Sequence, residues 1–320
     1  MTPRYSAPSS LDAALAAVAA AGARPLGGGT DLIVAMEVGL DAGASVVDLT
    51  RVRGLAGIET MPDGGVRIGG AVRLEDVALH DTIRDRYPAL AQAAAAVGTP
   101  ALRAMGTIGG NLGQRPRCWY LRSRIPCLKN GHAGCPARDG ENQYHAIFET
   151  GPCRAAHPSD TAVALLALDA SVVARHASGT RRLSVAELYA PAATDAEHEM
   201  ALGRREIIEA VELPASAAGG MQRFTKVMQR GAWDFATVSL AATRRGDGTV
   251  RLVLGGVAAA PWRVNPSVEE DVASGALDPE SADALAARAL YDAEPLSQNA
   301  YKVDQATALL RRAMVELSRA

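Results

Sequence analysis

The chain has 320 residues, 48% of them hydrophobic and only 4% aromatic, with a formal net charge of −2 and a pI near 6.3. That length suits two domains, or three small ones, whose cores must be filled mainly by Ala, Val and Leu. There is no basic excess to hold a nucleic-acid backbone, and no apolar run is long enough to span a bilayer.

Leu11–Ala21 reads as a helix capped by Ser9 or Ser10. It carries Asp12 and lacks a charged leader before a dense apolar core, so it is not read as a secretion signal. The expected location is the cytoplasm, or the periplasm if the chain leaves folded on a signal-bearing partner. Arg24–Leu26 is extended, GGGTDL follows, Thr30–Gly39 resumes as a helix, and Ser45–Leu49 is a buried strand. A second unit opens with a strand at Gly65–Gly69 and helices at Arg73–Leu79 and Tyr87–Val97. The glycine-rich turn MGTIGGNLG comes next, and then about forty residues without periodicity. Ser159–Leu166 begins a helix and Ala170–Arg175 is a strand. Pro214–Gly220 reads as a linker to a last α+β unit. That unit has strands at Arg223–Met228, Thr237–Ala242 and Val250–Val257 and helices at Asp278–Arg288 and Asp304–Ser318.

All four cysteines, Cys118, Cys127, Cys135 and Cys153, lie within 36 residues of each other, in the aperiodic stretch. Four thiolates make a full ligand set for one metal centre. Their spacing, Cys-x8-Cys-x7-Cys-x17-Cys, contains none of the tight knuckles usual for structural zinc. Disulfides suit small secreted domains better than this chain, and four thiols in a polar, Pro-rich loop make poor core filler. Wide spacing suits a [4Fe–4S] cube better than one zinc ion, and Arg115, Arg117, Arg122, Arg124, Lys129, Arg138 and Arg154 would offset its charge. Zinc stays open as the second reading.

Pro25, Leu26, Gly27, Gly28, Gly29, Thr30, Asp31 and Leu32 lie between a strand and a helix, where exposed backbone N–H groups can cradle a phosphate. A tight strand–helix turn would look the same, and the dinucleotide pattern G-x-G-x-x-G is absent. Thr107 and Asn111 could bond a ligand from the second glycine turn, which otherwise is a plain irregular loop. In isolation Ser159 or Asp160 reads as a helix cap, and Lys226, Arg230 and Asp234 as a surface ionic group.

Taken together, PLGGGTDLI at 25–33, GTIGGNL at 106–112, HPSDTAVALLALDA at 157–170 and KVMQRGAWDFATVSLA at 226–241 resemble the FAD-binding subunit of the molybdenum hydroxylases, the xanthine dehydrogenase and carbon monoxide dehydrogenase family. The cysteine loop is similar to the branch with an added [4Fe–4S] cluster, which includes bacterial aldehyde oxidoreductases and 4-hydroxybenzoyl-CoA reductase. The run QRPRCWYLR with CPARDGENQYHAIF is closer to the aldehyde oxidoreductase version.

The resemblance implies an α+β chain with a two-subdomain FAD-binding fold of the vanillyl-alcohol-oxidase type, at 1–54 and 55–215 with an iron–sulfur loop at 114–156. A C-terminal α+β flavoprotein domain would follow at 221–320. Gly27 to Leu32 would cradle the FAD pyrophosphate, Pro25, Leu26, Thr107, Gly110 and Asn111 would line the cofactor, and Asp160 and Lys226 would lie near it. The four cysteines would hold the cube. The implied role is electron transfer beside a large molybdopterin-binding subunit and a small [2Fe–2S] subunit, toward an external, ferredoxin-like acceptor. No catalytic residue for substrate oxidation is expected in this chain. Two alternatives stand: reverse electron flow of the 4-hydroxybenzoyl-CoA-reductase kind, and a zinc-stapled, non-redox ligand-binding module.

Overall fold

The structure is a computed structural model and describes residues 4–41 and 44–319. The first unit is β1 (Tyr5–Ser6), α1 (Leu11–Val18), β2 (Ala23–Leu26), α2 (Leu32–Glu37) and β3 (Ser45–Asp48). Its three strands form a parallel sheet in the order β1-β3-β2. Ser10 caps α1 by accepting the Ala13 N–H at 3.3 Å, and Ala14, Leu15 and Val18 turn inward onto Val47 and Leu49.

The second unit begins with β4 (Ile58–Thr60), β5 (Val66–Gly69), α3 (Leu74–Leu79), α4 (Asp81–Arg86), α5 (Pro88–Ala95), α6 (Pro100–Met105) and α7 (Ile108–Leu112). After the cysteine segment, which holds the single turn α8 (Trp119–Arg122), come α9 (Asp160–Ala167), β6 (Ser171–His176), β7 (Gly179–Ser184), α10 (Val185–Tyr189) and β8 (Ile207–Leu213). The strands form an antiparallel sheet in the order β4-β5-β8-β6-β7.

The last unit has β9 (Met221–Val227), β10 (Val238–Arg244), β11 (Val250–Gly255), β12 (Trp262–Arg263), α11 (Pro266–Ala273), α12 (Pro279–Ala289) and α13 (Tyr301–Ser318). Its antiparallel sheet runs β12-β11-β10-β9 and is covered on both faces. Phe224, Ala241 and Val253 pack into the core of the second unit, while Leu240, Ala242, Leu252 and Leu254 meet Leu285, Leu310 and Met314 on the other side. Burial on both faces explains why β10 reads as a nearly unbroken run of small and apolar residues.

Two expectations change. The segment read as a linker, Pro214–Gly220, is a packed connection: the Pro214 carbonyl accepts the Tyr87 hydroxyl, Ala217 is buried, and Gly219 N–H donates to Arg86 O at 2.8 Å. The glycine turn MGTIGGNLG contains a real helical turn, α7, because Thr107 caps it by accepting Gly110 N–H at 3.1 Å and Ile108 and Leu112 are fully buried. The cysteine segment is also less open than its sequence suggests, since Ile147 and Phe148 insert into the last core.

Candidate functional site

Two large cavities flank the cysteine segment. The first, of about 400 Å³, is walled by Pro25 and residues 27–32, by Thr107, Gly109, Gly110 and Gly113, and by residues 197–200, 202–204 and 206. Glycine is required where its two turns meet. A Cβ on Gly28 would collide with the Met105 carbonyl, and one on Gly27 with the Thr107 hydroxyl. Gly29 has φ +75°, a conformation that side-chain-bearing residues rarely adopt.

The second cavity, of about 410 Å³, lies where the second and last units meet. Its lining includes Trp119, Tyr144, His157, Asp160, Phe235 and Ser239. Two of its buried polar atoms, His157 Nε2 and Ser239 Oγ, have no hydrogen-bond partner. Complete burial, helped by Lys129, holds His157 down to about 3, so its imidazole is neutral. Gln114 and Arg115 line the first cavity and Arg117 and Cys118 the second, so one short stretch of chain runs from one to the other.

The structure brings most of the sequence candidates together. Pro25, Gly27, Gly28, Gly29, Thr30, Asp31, Leu32, Thr107 and Gly110 all line the first cavity, and Asp160 lines the second. Leu26, Asn111 and Lys226 line neither. Asn111 instead faces the start of α9, where its Oδ1 accepts the hydroxyls of Ser159 and Thr161, both at 2.6 Å. Lys226 is no surface residue: it donates to Asp160 Oδ2 at 2.7 Å and to Ala96 O at 3.0 Å. Burial pushes the Asp160 carboxyl up and Lys226 opposes it. Arg230 and Asp234 do form the exposed ion pair that the sequence suggests, at 2.9 Å.

The four cysteines are free thiols that line one small cavity of about 10 Å³ together with Lys129. Among the described residues no group of three or more His, Cys, Asp or Glu side chains is arranged to hold a metal ion. Cys118 lies 3.3 Å from His145 Nε2 and lines both the cysteine cavity and the second large one. Burial pushes the Cys118 thiol up to about 11, with Cys153 and Cys135 adding to the effect. Residues 197–206 and the rings of Trp119, Tyr144 and Phe235 escaped the sequence reading. Trp119, Tyr144 and Phe235 lie within the quoted family runs and the 197–206 stretch within none, and only the fold brings them to a cavity.

The sequence pattern of the FAD-binding domain in molybdopterin dehydrogenase matches residues 1–216. The chain belongs to the FAD-binding subunits of the molybdenum hydroxylase family. As a subunit of that family it is an oxidoreductase component. The CO dehydrogenase flavoprotein C-terminal domain matches residues 223–317 of this FAD-binding subunit. Over 317 residues it is 36% identical to the aldehyde oxidoreductase FAD-binding subunit PaoB of Escherichia coli strain K12, covering 95% of this chain and 94% of that protein. It is 25% identical over 280 residues to the glyceraldehyde dehydrogenase medium chain of Sulfolobus acidocaldarius, covering 86% and 82%. In fold it is similar to a chain of the carbon monoxide dehydrogenase of Hydrogenophaga pseudoflava, with a TM-score of 0.75 at 22% identity, covering 100% and 98%. A chain of quinoline 2-oxidoreductase from Pseudomonas putida 86 gives a TM-score of 0.76 at 20% identity, with the same coverage. No helix among the described residues is long and apolar enough to cross a membrane.

Proposed function

We propose that this chain is the electron-transfer subunit of a three-subunit, molybdenum-containing aldehyde oxidoreductase, carrying FAD and a [4Fe–4S] cluster. One observation carries the reading. A glycine-walled cavity and an aromatic cavity are joined by residues 114–118, and the cysteine cavity shares Lys129 with the first and Cys118 with the second. The 36% identity to a protein named as an aldehyde oxidoreductase FAD-binding subunit supports the substrate class.

The residues present fit FAD. Gly27, Gly28, Gly29 and Thr30 all line one cavity, where their backbone N–H groups would suit a pyrophosphate. The orphaned Ser239 Oγ and His157 Nε2 could bond the polar edge of a flavin in the cavity that Trp119 and Phe235 also line. Asp160 and Lys226 form one buried pair, so Lys226 acts on that cavity through Asp160. When bound, FAD supplies one- and two-electron transfer between partner clusters and an external acceptor. The chain's own work is to hold, orient and partly shield the ring.

For the metal, the donor set is four thiols around one cavity. A single zinc would draw all four sulfurs to about 2.3 Å from one point. The wide sequence spacing of the four cysteines and their common cavity favour a cluster in this reading. A large molybdopterin-binding subunit and a small [2Fe–2S] subunit would complete the enzyme, with a ferredoxin-like protein as acceptor. Flow in the opposite direction, as in a 4-hydroxybenzoyl-CoA-reductase-type enzyme, would use the same cofactors. Location follows the partners: the cytoplasm, or the periplasm if one of them carries an export signal.

The test is the visible spectrum of anaerobically purified protein with flavin, iron and zinc quantified. Flavin bands over a broad shoulder, with about one FAD and about four irons per chain, are expected. About one zinc with bound FAD would remove the cluster and keep the flavin role, and about one zinc with no flavin would remove both.

A further inference from the structure

Asp31 belongs to the glycine turn, yet its carboxylate is held by the cysteine segment. Oδ2 accepts the Arg115 backbone N–H at 2.8 Å. Oδ1 accepts Arg122 Nη2 and pairs with Arg117 Nη1, both at 2.7 Å. On the opposite wall of the same cavity, Glu199 Oε1 pairs with Arg115 Nη2 at 3.0 Å and with Lys129 Nζ at 3.1 Å. These groups are half-buried or better, so water screens them only in part. Two carboxylates on two walls of the glycine-turn cavity therefore grip one segment, on either side of Cys118 and Cys127.

We propose that Asp31 is a positioning residue that links occupancy of the glycine-turn cavity by FAD to the order of the cysteine segment. The inference rests on the FAD reading above. Two physical effects drive it. A pyrophosphate held by the backbone of residues 27–30 fixes the turn that presents Asp31, and a fixed Asp31 fixes its three donors on residues 115, 117 and 122. In addition, an unpaired Asp31 carboxylate in the same turn would repel the anion. Arg117 and Arg122 neutralise it, so docking of the segment removes a like charge from the phosphate site. Linkage is reciprocal: whatever FAD does for the segment, the docked segment does for FAD affinity.

Hydrogen exchange on the full chain, deflavinated and then saturated with FAD, tests this. Residues 120–127 line neither large cavity, so FAD cannot shield them directly. In the wild type, FAD should slow exchange at 27–32 and also at 120–127, the latter about tenfold. Asp31→Asn should keep the protection at 27–32 and lose it at 120–127. Glu199→Gln gives a second reading from the other wall if Asp31→Asn does not fold, and should reduce the same protection. Unchanged protection at 120–127 in the variants overturns the proposal. So does faster exchange there that is equal with and without FAD, which is what a merely structural role predicts. Absence of FAD protection at 27–32 in the wild type would instead overturn the FAD reading itself.

Discussion

Asp160 and Lys226 are joined by an ion pair of 2.7 Å, with side chains only 7% and 4% exposed. The pair ties the first turn of α9 to β9 and so fixes the last sheet against the second unit at the edge of the aromatic cavity. Neither charge has water to fall back on, so each depends on the other.

Lys226→Met should therefore cost about 3–5 kcal/mol, because it leaves the Asp160 carboxylate buried and alone. Without its partner Asp160 should take up a proton, since burial already pushes it upward. Urea unfolding of the single variant and of Asp160→Asn/Lys226→Met checks the claim. The double variant should recover part of the loss, and a single-variant cost below about 1 kcal/mol would contradict a buried pair.

Gly28→Ala places a methyl group against the backbone carbonyl of Met105, which no rotamer change can relieve. The two glycine turns must separate, and the added strain should be about 1–3 kcal/mol. FAD affinity of the variant, read by titration of the deflavinated protein, should drop about 5- to 150-fold, the same energy expressed as binding. An unchanged affinity would show that the close approach of the two turns is not part of the binding site.

Glu206 lines the glycine-turn cavity and forms a fork with Arg181 at 2.7 and 2.6 Å while accepting the Gly203 N–H at 2.6 Å. The bond to Arg181, with help from Gly203, holds its carboxyl below 4.5. The unfolded chain thus binds the proton more readily, and the stabilisation is complete above about pH 4.5 and is lost as pH falls through the lower folded value. Glu206→Gln should lower stability at pH 6–7 and flatten the acid limb of a thermal-shift profile relative to wild type. Parallel profiles for the two proteins would exclude this role.

Ser159 caps α9 by accepting the Ala162 N–H at 3.1 Å and donates to Asn111 Oδ1 at 2.6 Å. Ser159→Ala should cost about 1–2 kcal/mol, the sum of a lost cap and a weakened buried bond. Thr161 still donates to Asn111, so α7 should stay in place and flavin content should change little. Chemical denaturation paired with flavin assay separates the two effects. A large flavin loss would give Asn111 a direct part in the cofactor site.

Much of this architecture is legible along the chain. The helices at Leu11, Tyr87 and Asp304 and the strands at Ser45 and Val250 announce themselves by apolar periodicity and by flanking turn residues. The strand β8 holds an apolar set at Ile207, Ala210, Val211 and Leu213, all buried in the fold, but the sequence alone does not set it apart from the loops before it. It became the centre of its sheet because it pairs with β5, far earlier in the chain. The helix α7 could not be read, since Gly109 and Gly110 disfavour helix locally and only a cap and the surrounding core hold it.

The order of the units, the two glycine turns, the four-cysteine set and the family to which they belong can be read along the chain, because those are local patterns of backbone freedom and ligand chemistry. Tertiary structure alone decided that Lys226 is buried on Asp160, that Asn111 serves α9, and that Asp31 answers to the arginines of the cysteine segment. A charged or amide side chain is the same letter whether it meets water or a partner. Which it meets depends on contacts between residues far apart in the chain, and these form only when the units pack.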